Sequence, residues 1–236
     1  MALSSMGRRF KGVSFAVPPV VTFQGATHVG GGPGNAVSGT YTIPNNAVVV
    51  VGGYGRIGGG TGAPNTLAVT VGSTSLTLQP QTVIDRGYAF QTGFSSGVVS
   101  PGGSQTVQLT TGSANNGQVR GFWVWTLENL INTSPKTTSS QFNENLVDGT
   151  PPTAAAVAAG DYGFAICEFV NLTGQDWQQS TPLPTHDPTT SSAYVDTAYG
   201  IAYAADWFNL SAGTLTAKTS SNVSSCQKAL ITFGTT

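Results

Sequence analysis

The stretch Val119-Arg-Gly-Phe-Trp-Val-Trp-Thr-Leu127 is apolar at both parities. Successive side chains of an extended chain point to opposite faces, so Phe122 and Val124 fall on one side and Trp123, Trp125 and Leu127 on the other. A strand of this kind needs cover on both faces, which places it at the centre of a packed β-structure.

The chain around it has the matching pattern. Short apolar or alternating runs recur from Thr40 onward, separated by breakers such as Pro44-Asn45-Asn46, Gly58-Gly59-Gly60, Ser100-Pro101-Gly102-Gly103, Asn115-Asn116-Gly117 and Pro151-Pro152. Strands are expected at Gly39–Ile43, Ala47–Tyr54, Leu67–Val71, Ser75–Leu78, Gly87–Phe94, Gln105–Thr110, Arg120–Glu128, Asp161–Asn171, Tyr194–Ala204, Thr214–Lys218 and Gln227–Phe233. Eleven such strands suit two packed sheets of five or six. In Tyr194–Ala204 the alternation turns Val195, Thr197, Tyr199, Ile201 and Tyr203 inward; in the last strand it turns Ala229, Ile231 and Phe233 inward and exposes Lys228. Phe142–Val147 and Thr153–Ala159 are the only helical candidates, the first too short to stand alone and the second better suited to a loop. No fixed-period repeat and no Gly/Ser linker divides the chain.

Composition agrees. Of 236 residues only 8% are charged, against roughly 25% in ordinary soluble domains, while Thr, Ser, Asn and Gln number 32, 22, 13 and 12 beside 31 Gly. A net charge of −1 leaves no pool of cations to neutralise a run of phosphates, so nucleic acid is not an expected partner. With 39% apolar residues and almost no net charge, the sequence lacks the signature of disorder. No run of 18 apolar residues exists, so no helical membrane insertion is expected.

The few charges are unevenly placed. Arg8, Arg9 and Lys11 are three of nine cations, whereas residues 12–236 hold six cations and ten anions, a net of −4. The segment resembles a twin-arginine export signal, but Pro18 and Pro19 cut its apolar run short. Residues 1–24 are therefore read as an extended basic arm suited to docking on an acidic neighbour, and residues 25–236 as one sandwich domain.

Motifs for chemistry are weak. Gly53-Tyr-Gly55-Arg-Ile-Gly58 has the spacing of a dinucleotide fingerprint, but Gly59-Gly60-Thr-Gly-Ala-Pro64 cannot open a helix and the next acidic residue is Asp85. A flexible hairpin loop is expected there, and no cofactor. Four Asn-x-Ser/Thr sequons, at Asn132, Asn171, Asn209 and Asn222, hardly exceed the three or so that 54 Ser and Thr produce by chance. His28 and His186 have no Cys or His at zinc spacing, so no metal site is expected. Cys167 and Cys226 permit one disulfide, but two half-buried free thiols is the simpler expectation. Glu168 and Asp176 are the nearest approach to a glycosidase pair, and a satisfied sheet carboxylate explains Glu168 better. No catalytic residue is assigned.

The loop carrying Asp176, Trp177, Gln178 and, further on, His186 is the best candidate for binding. An indole stacks on a sugar ring while carboxylate, amide and imidazole groups hydrogen-bond its hydroxyls, so this loop, with Trp207 assisting, is a candidate contact for host surface polysaccharide.

Over residues 38–234 the texture resembles tailed-bacteriophage virion proteins of the head-decoration, head-fibre and tail-fibre type. The likeness rests on the basic arm, the strand Tyr41-Thr-Ile-Pro-Asn-Asn-Ala-Val-Val-Val-Val51, the segment Gly121-Phe-Trp-Val-Trp-Thr126 and the ending Lys228-Ala-Leu-Ile-Thr-Phe233. It is one of strand pattern and composition. It implies an all-β fold, an antiparallel two-sheet sandwich of jelly-roll-like form with an N-terminal arm. It further implies a non-enzymatic structural role in the virion, with capsid or tail proteins and copies of the chain itself as partners. A protein that persists in many copies gains from paired backbone hydrogen bonds and loses little by lacking salt-sensitive surface charge.

Overall fold

The computed structural model describes residues 17–30, 35–58, 67–79, 84–85, 88–111, 117–144, 153–169, 177–182, 184–185, 194–196, 200–219 and 225–235. The fold is all-β and antiparallel, with no helix among the described residues. The strands are β1 (Val20–Gly30), β2 (Ala36–Ile43), β3 (Ala47–Gly58), β4 (Leu67–Val71), β5 (Thr74–Ser75), β6 (Thr77–Leu78), β7 (Ile84–Asp85), β8 (Tyr88–Val99), β9 (Gly103–Thr111) and β10 (Gly117–Glu128). They continue as β11 (Thr137–Glu144), β12 (Thr153–Val157), β13 (Tyr162–Phe169), β14 (Trp177–Thr181), β15 (Tyr194–Asp196), β16 (Gly200–Trp207), β17 (Gly213–Thr219) and β18 (Ser225–Phe233).

Among the described residues four sheets form, where two were expected. A first outer sheet runs β2-β9-β4-β5 and a first inner sheet β1-β10-β3-β8-β6, with β7 also on β8. A second inner sheet runs β11-β18-β13-β16-β15 and a second outer sheet β12-β17-β14. Three apolar layers show the stacking order. Val37, Val69 and Leu109 of the first outer sheet meet Val49, Val51, Phe122 and Val124 of the first inner sheet. That sheet's other face, with Val48, Val50, Trp123 and Trp125, meets Phe164, Ile166, Ile231 and Phe233 of the second inner sheet. The far face of the second inner sheet, with Ala165, Cys167, Tyr203 and Trp207, meets Leu215 and Ala217 of the second outer sheet.

The physical reason is the one already visible at Val119–Leu127. Phe122 and Val124 do face away from Trp123, Trp125 and Leu127, and all five are buried. Strands apolar on both faces recur at Val48–Val51, at Phe164–Cys167 and at Ala202–Trp207, and no single pair of sheets can cover so many. Hence alternation misleads in the second half of the chain. Lys228, expected at the surface, is fully buried, because its face is shared with Leu230 and covered by the second outer sheet. Tyr194–Ala204 is two strands, β15 and β16, and in β16 Ala202 and Ala204 face one apolar layer while Tyr203 and Ala205 face the next.

Other boundaries change as well. Val20–Gln24, assigned to the arm, opens β1, which pairs with β10 from Val20↔Glu128 onward. The basic residues Arg8, Arg9 and Lys11 lie outside the described residues. Thr153–Val157 is strand β12. Phe142 lies in β11, and the rest of that helical candidate beyond Glu144 lies outside the described residues. Gly53–Gly58, expected as a hairpin loop, is the second half of β3 and pairs with both β10 and β8. Glycine serves close approach here. A Cβ on Gly52 would lie 2.7 Å from Ile166 Cγ2 of the facing inner sheet, and one on Gly53 would lie 2.9 Å from Leu109 Cδ1 of the first outer sheet.

All strands of the first two sheets come from residues 20–128, and all strands of the last two from residues 137–233. The chain thus forms two sandwiches in succession, joined through residues 129–136 and sharing the central apolar layer.

Candidate functional site

Burying charge is costly unless the group is hydrogen-bonded, so each buried ionisable side chain marks a place where the fold had to provide a partner. Arg120, Asp161, Glu168, Asp206 and Lys228 are all buried. Arg120 on β10 donates from Nε to the carbonyl of Ala36 at 2.9 Å, tying the first inner sheet to β2 of the first outer one. Glu168 on β13 accepts from Thr92 Oγ1 of β8 at 3.1 Å. Asp206 on β16 accepts from the indole Nε1 of Trp125 on β10 at 2.8 Å. These last two bonds cross the central layer and join one sandwich to the other. Asp161 accepts at 2.7 Å both from Lys136 Nζ and from the amide of Ala158, which clamps the connecting segment to the turn between β12 and β13. Carboxylates so placed align layers; Glu168 is inside the stack, beside Phe164 and Ile166 on the same face as expected.

His28 on β1 sits near the rim of the central layer. Its Nδ1 is 3.2 Å from Tyr54 Oη, and its ring stands edge-on to Trp123 at 5.0 Å between centroids. Burial lowers its pKa from 6.5 to about 4, so the ring is neutral at pH 7. Across the same strand Thr27 Oγ1 lies 2.7 Å from Tyr41 Oη, and burial raises the tyrosine pKa while that bond lowers it.

The expected polysaccharide loop is not assembled by the described residues. Trp177 and Gln178 belong to strand β14, in register with Thr219 and Lys218 of β17. Asp176 and His186 lie outside the described residues. Trp207, proposed to assist, is a core side chain that is 1% exposed and donates from Nε1 to the carbonyl of Pro182 at 2.8 Å. Thr185 is tied to the same strand end, donating its amide to the Asp206 carbonyl and accepting from the Phe208 amide. Cys167 is in no disulfide, and it is fully buried where half-burial was expected.

The surface feature that sequence reasoning missed is a groove of about 450 Å³ at the junction of the two sandwiches. Thr77, Gln79, Ser96 and Val98 from the β6/β8 edge form one wall, and Thr133, Ser134 and Pro135 from the connecting segment form the other. Gln79 Nε2 donates to Ser96 Oγ at 3.1 Å, which orients the amide. No side chain of this lining is ionisable, and Val98 is 43% exposed. Its two walls, residues 77–98 and 133–135, are far apart in sequence and carry no motif, so nothing short of the tertiary structure brings them together.

The outward side of the first outer sheet is equally free of charge. Ser38, Thr40 and Thr42 of β2 stand beside Gln108, Thr106 and Ser104 of β9 in register, and all six are exposed. Among the described residues no group of three or more His, Cys, Asp or Glu could hold a metal ion. No described helix is long and apolar enough to cross a membrane. Compared with known proteins, the chain matches no family model, no curated protein and no solved structure.

Proposed function

We propose that this chain is a non-enzymatic structural subunit of a bacteriophage virion, a capsid decoration or appendage subunit held to its neighbours by the N-terminal arm. The observation that carries the reading is how the arm is rooted. Val17 and Val20 are exposed at 65% and 46%, and from Val20 the chain enters β1, an edge strand of the first inner sheet that pairs with β10. A basic segment leading into such a strand can reach a neighbouring subunit while remaining fixed to the core. The buried carboxylates support the same reading, because Glu168 and Asp206 are committed to joining layers and Asp161 to holding the connecting segment. Deleting residues 2–16 spares β1; incorporation into particles should be lost while the melting temperature of the isolated protein stays the same. Full occupancy of the truncated protein would sink the proposal.

A second reading, recognition of host surface polysaccharide, is favoured by the groove between the sandwiches. Hydroxyl and amide groups both donate and accept, as sugar hydroxyls do, and Val98 and Pro135 offer apolar surface to the C–H face of a ring. Val98→Glu should then abolish binding to host cells and leave particle incorporation intact. Unchanged cell binding by V98E would remove this groove from consideration.

A further inference from the structure

We infer that the chain is a tandem duplication of one jelly-roll unit, and that the face between the two inner sheets is a self-complementary surface built for a second copy of that unit. This goes beyond the proposed virion role and stands whether or not that role is correct.

Strand order carries the inference. The first inner sheet runs β1-β10-β3-β8 and the second β11-β18-β13-β16; the labels differ by ten up to β4 and by eight from β8, because among the described residues three short strands, β5, β6 and β7, precede β8 where one, β15, precedes β16. Matched by place, β1, β2, β3 and β4 correspond to β11, β12, β13 and β14, and β8, β9 and β10 correspond to β16, β17 and β18. With that match the first outer sheet, β2-β9-β4, becomes β12-β17-β14, the whole of the second outer sheet. Even the edge agrees, since β6 and β7 flank β8 as β15 flanks β16. Numbered within one unit, the sheets read 1-8-3-6 and 2-7-4, with β5 as the fifth strand beside β4 in the first half. Two interleaved Greek keys of this kind make a jelly roll. Two halves of one chain sharing so many non-sequential neighbours is not expected of independent folds.

Packing repeats along with topology. In the first half Gly53 of β3 makes room for Leu109 of β9; in the second Gly163 of β13 makes room for Leu215 of β17, the corresponding pair. The contact between the halves has one feature of an isologous interface, in which i meets j and j meets i: it is centred on a strand and that strand's own counterpart. At its centre β3 meets its own counterpart, Gly52 against Ile166 of β13. To one side β8 packs closely on β18, whereas the corresponding reversed pair, β10 with β16, stands further apart and is joined by the Trp125–Asp206 hydrogen bond.

The connecting segment is the place to test this. Ile131, Asn132, Thr133 and Ser134 are exposed, and Ile131 is 76% exposed. A site-specific protease sequence is inserted between Asn132 and Thr133 of the full chain, and the folded protein is cut. The two fragments should elute together at the position of the intact 24.1 kDa chain, remain together on 100-fold dilution, and reassociate after unfolding in urea and its removal. Adding Trp125→Phe should raise the concentration at which the cut halves separate by at least tenfold while leaving each half folded. Fragments that part on cutting, or a cut protein that loses its near-ultraviolet signature, would overturn the inference. A second insertion between Leu130 and Ile131 guards against a local defect. If neither uncut insertion variant folds, the halves are not complete units and the inference is equally overturned.

Discussion

The two sandwiches solve the same covering problem with different side chains. The first buries a continuous valine run, Val48–Val51, and among the described residues Arg120 is its only buried charged side chain. The second buries Asp161, Glu168, Asp206 and Lys228, and fills its layers with alanine: Ala165, Ala202, Ala204, Ala205 and Ala229 are all inside. Small side chains let sheets approach closely but contribute less apolar area per residue, so hydrogen bonds to buried carboxylates carry more of the alignment there. The difference teaches that a repeated topology does not require repeated chemistry. It also locates the shared vulnerability, since two of those carboxylates take their partners from the first sandwich.

The largest effect is expected where the two halves are most dependent on each other. Trp125→Ala removes a buried indole and leaves the Asp206 carboxylate without that donor, which should destabilise the protein by about 5 kcal/mol. Trp125→Phe, which keeps most of the packing, should cost about 2 kcal/mol. Urea unfolding of both variants separates packing from hydrogen bonding, because both lose the donor and only Trp125→Ala loses the ring; a Trp125→Phe variant as stable as the parent would mean that the Asp206 bond contributes nothing.

Next come the close approaches. Gly52→Ala pushes a methyl at Ile166 Cγ2 and Phe94, across the layer the halves share, whereas Gly163→Ala pushes one at Leu215 within the second sandwich. Each should cost about 1–3 kcal/mol by overpacking. Hydrogen exchange distinguishes them, with G52A loosening strands of both halves and G163A chiefly β13, β16 and β17. The same exchange pattern for both would break the division into two units.

His28 offers a pH test confined to the first half. Its imidazole is held neutral with a pKa of about 4, while in the unfolded chain it takes up a proton near 6.5. Between those values the unfolded state binds a proton that the folded state does not. The contribution is therefore intact above pH 6.5 and is lost as pH falls toward 4, by at most about 1.4 kcal/mol per unit. His28→Gln should flatten that part of the stability profile, measured by denaturation at pH 7.5, 5.5 and 4.5. An unchanged slope would show that the ring is not held neutral by burial.

The smallest effect is expected at Thr92→Val, which keeps the shape but removes the donor to Glu168, at about 1–2 kcal/mol. A loss as large as that of Trp125→Ala would make the Thr92–Glu168 bond as important a tie between the halves as the indole.

Much of this was legible in residue order. The β class, the positions of most strands, the two-faced strand at Val119–Leu127 and the shared face of Phe164, Ile166 and Glu168 follow from the period of two. What alternation could not show is how many sheets there are, because a strand states that both faces need cover without stating what covers them. Lys228 reads as exposed and is buried for that reason. The groove between the sandwiches escaped notice on different grounds: its walls are ordinary Thr, Ser, Gln, Val and Pro residues made special only by their meeting.

By itself, then, the sequence determined an antiparallel, charge-poor β-protein with a basic leading segment, since strand periodicity and composition are local properties written in every few residues. Only the tertiary structure decided that the strands divide into two sandwiches of matching strand order, stacked face to face. That outcome depends on pairings between residues as far apart as Val20 and Glu128, and on which apolar face finds which partner. Long-range matching of this kind leaves no local signature, so a duplication of topology can persist after the sequence repeat that produced it has disappeared.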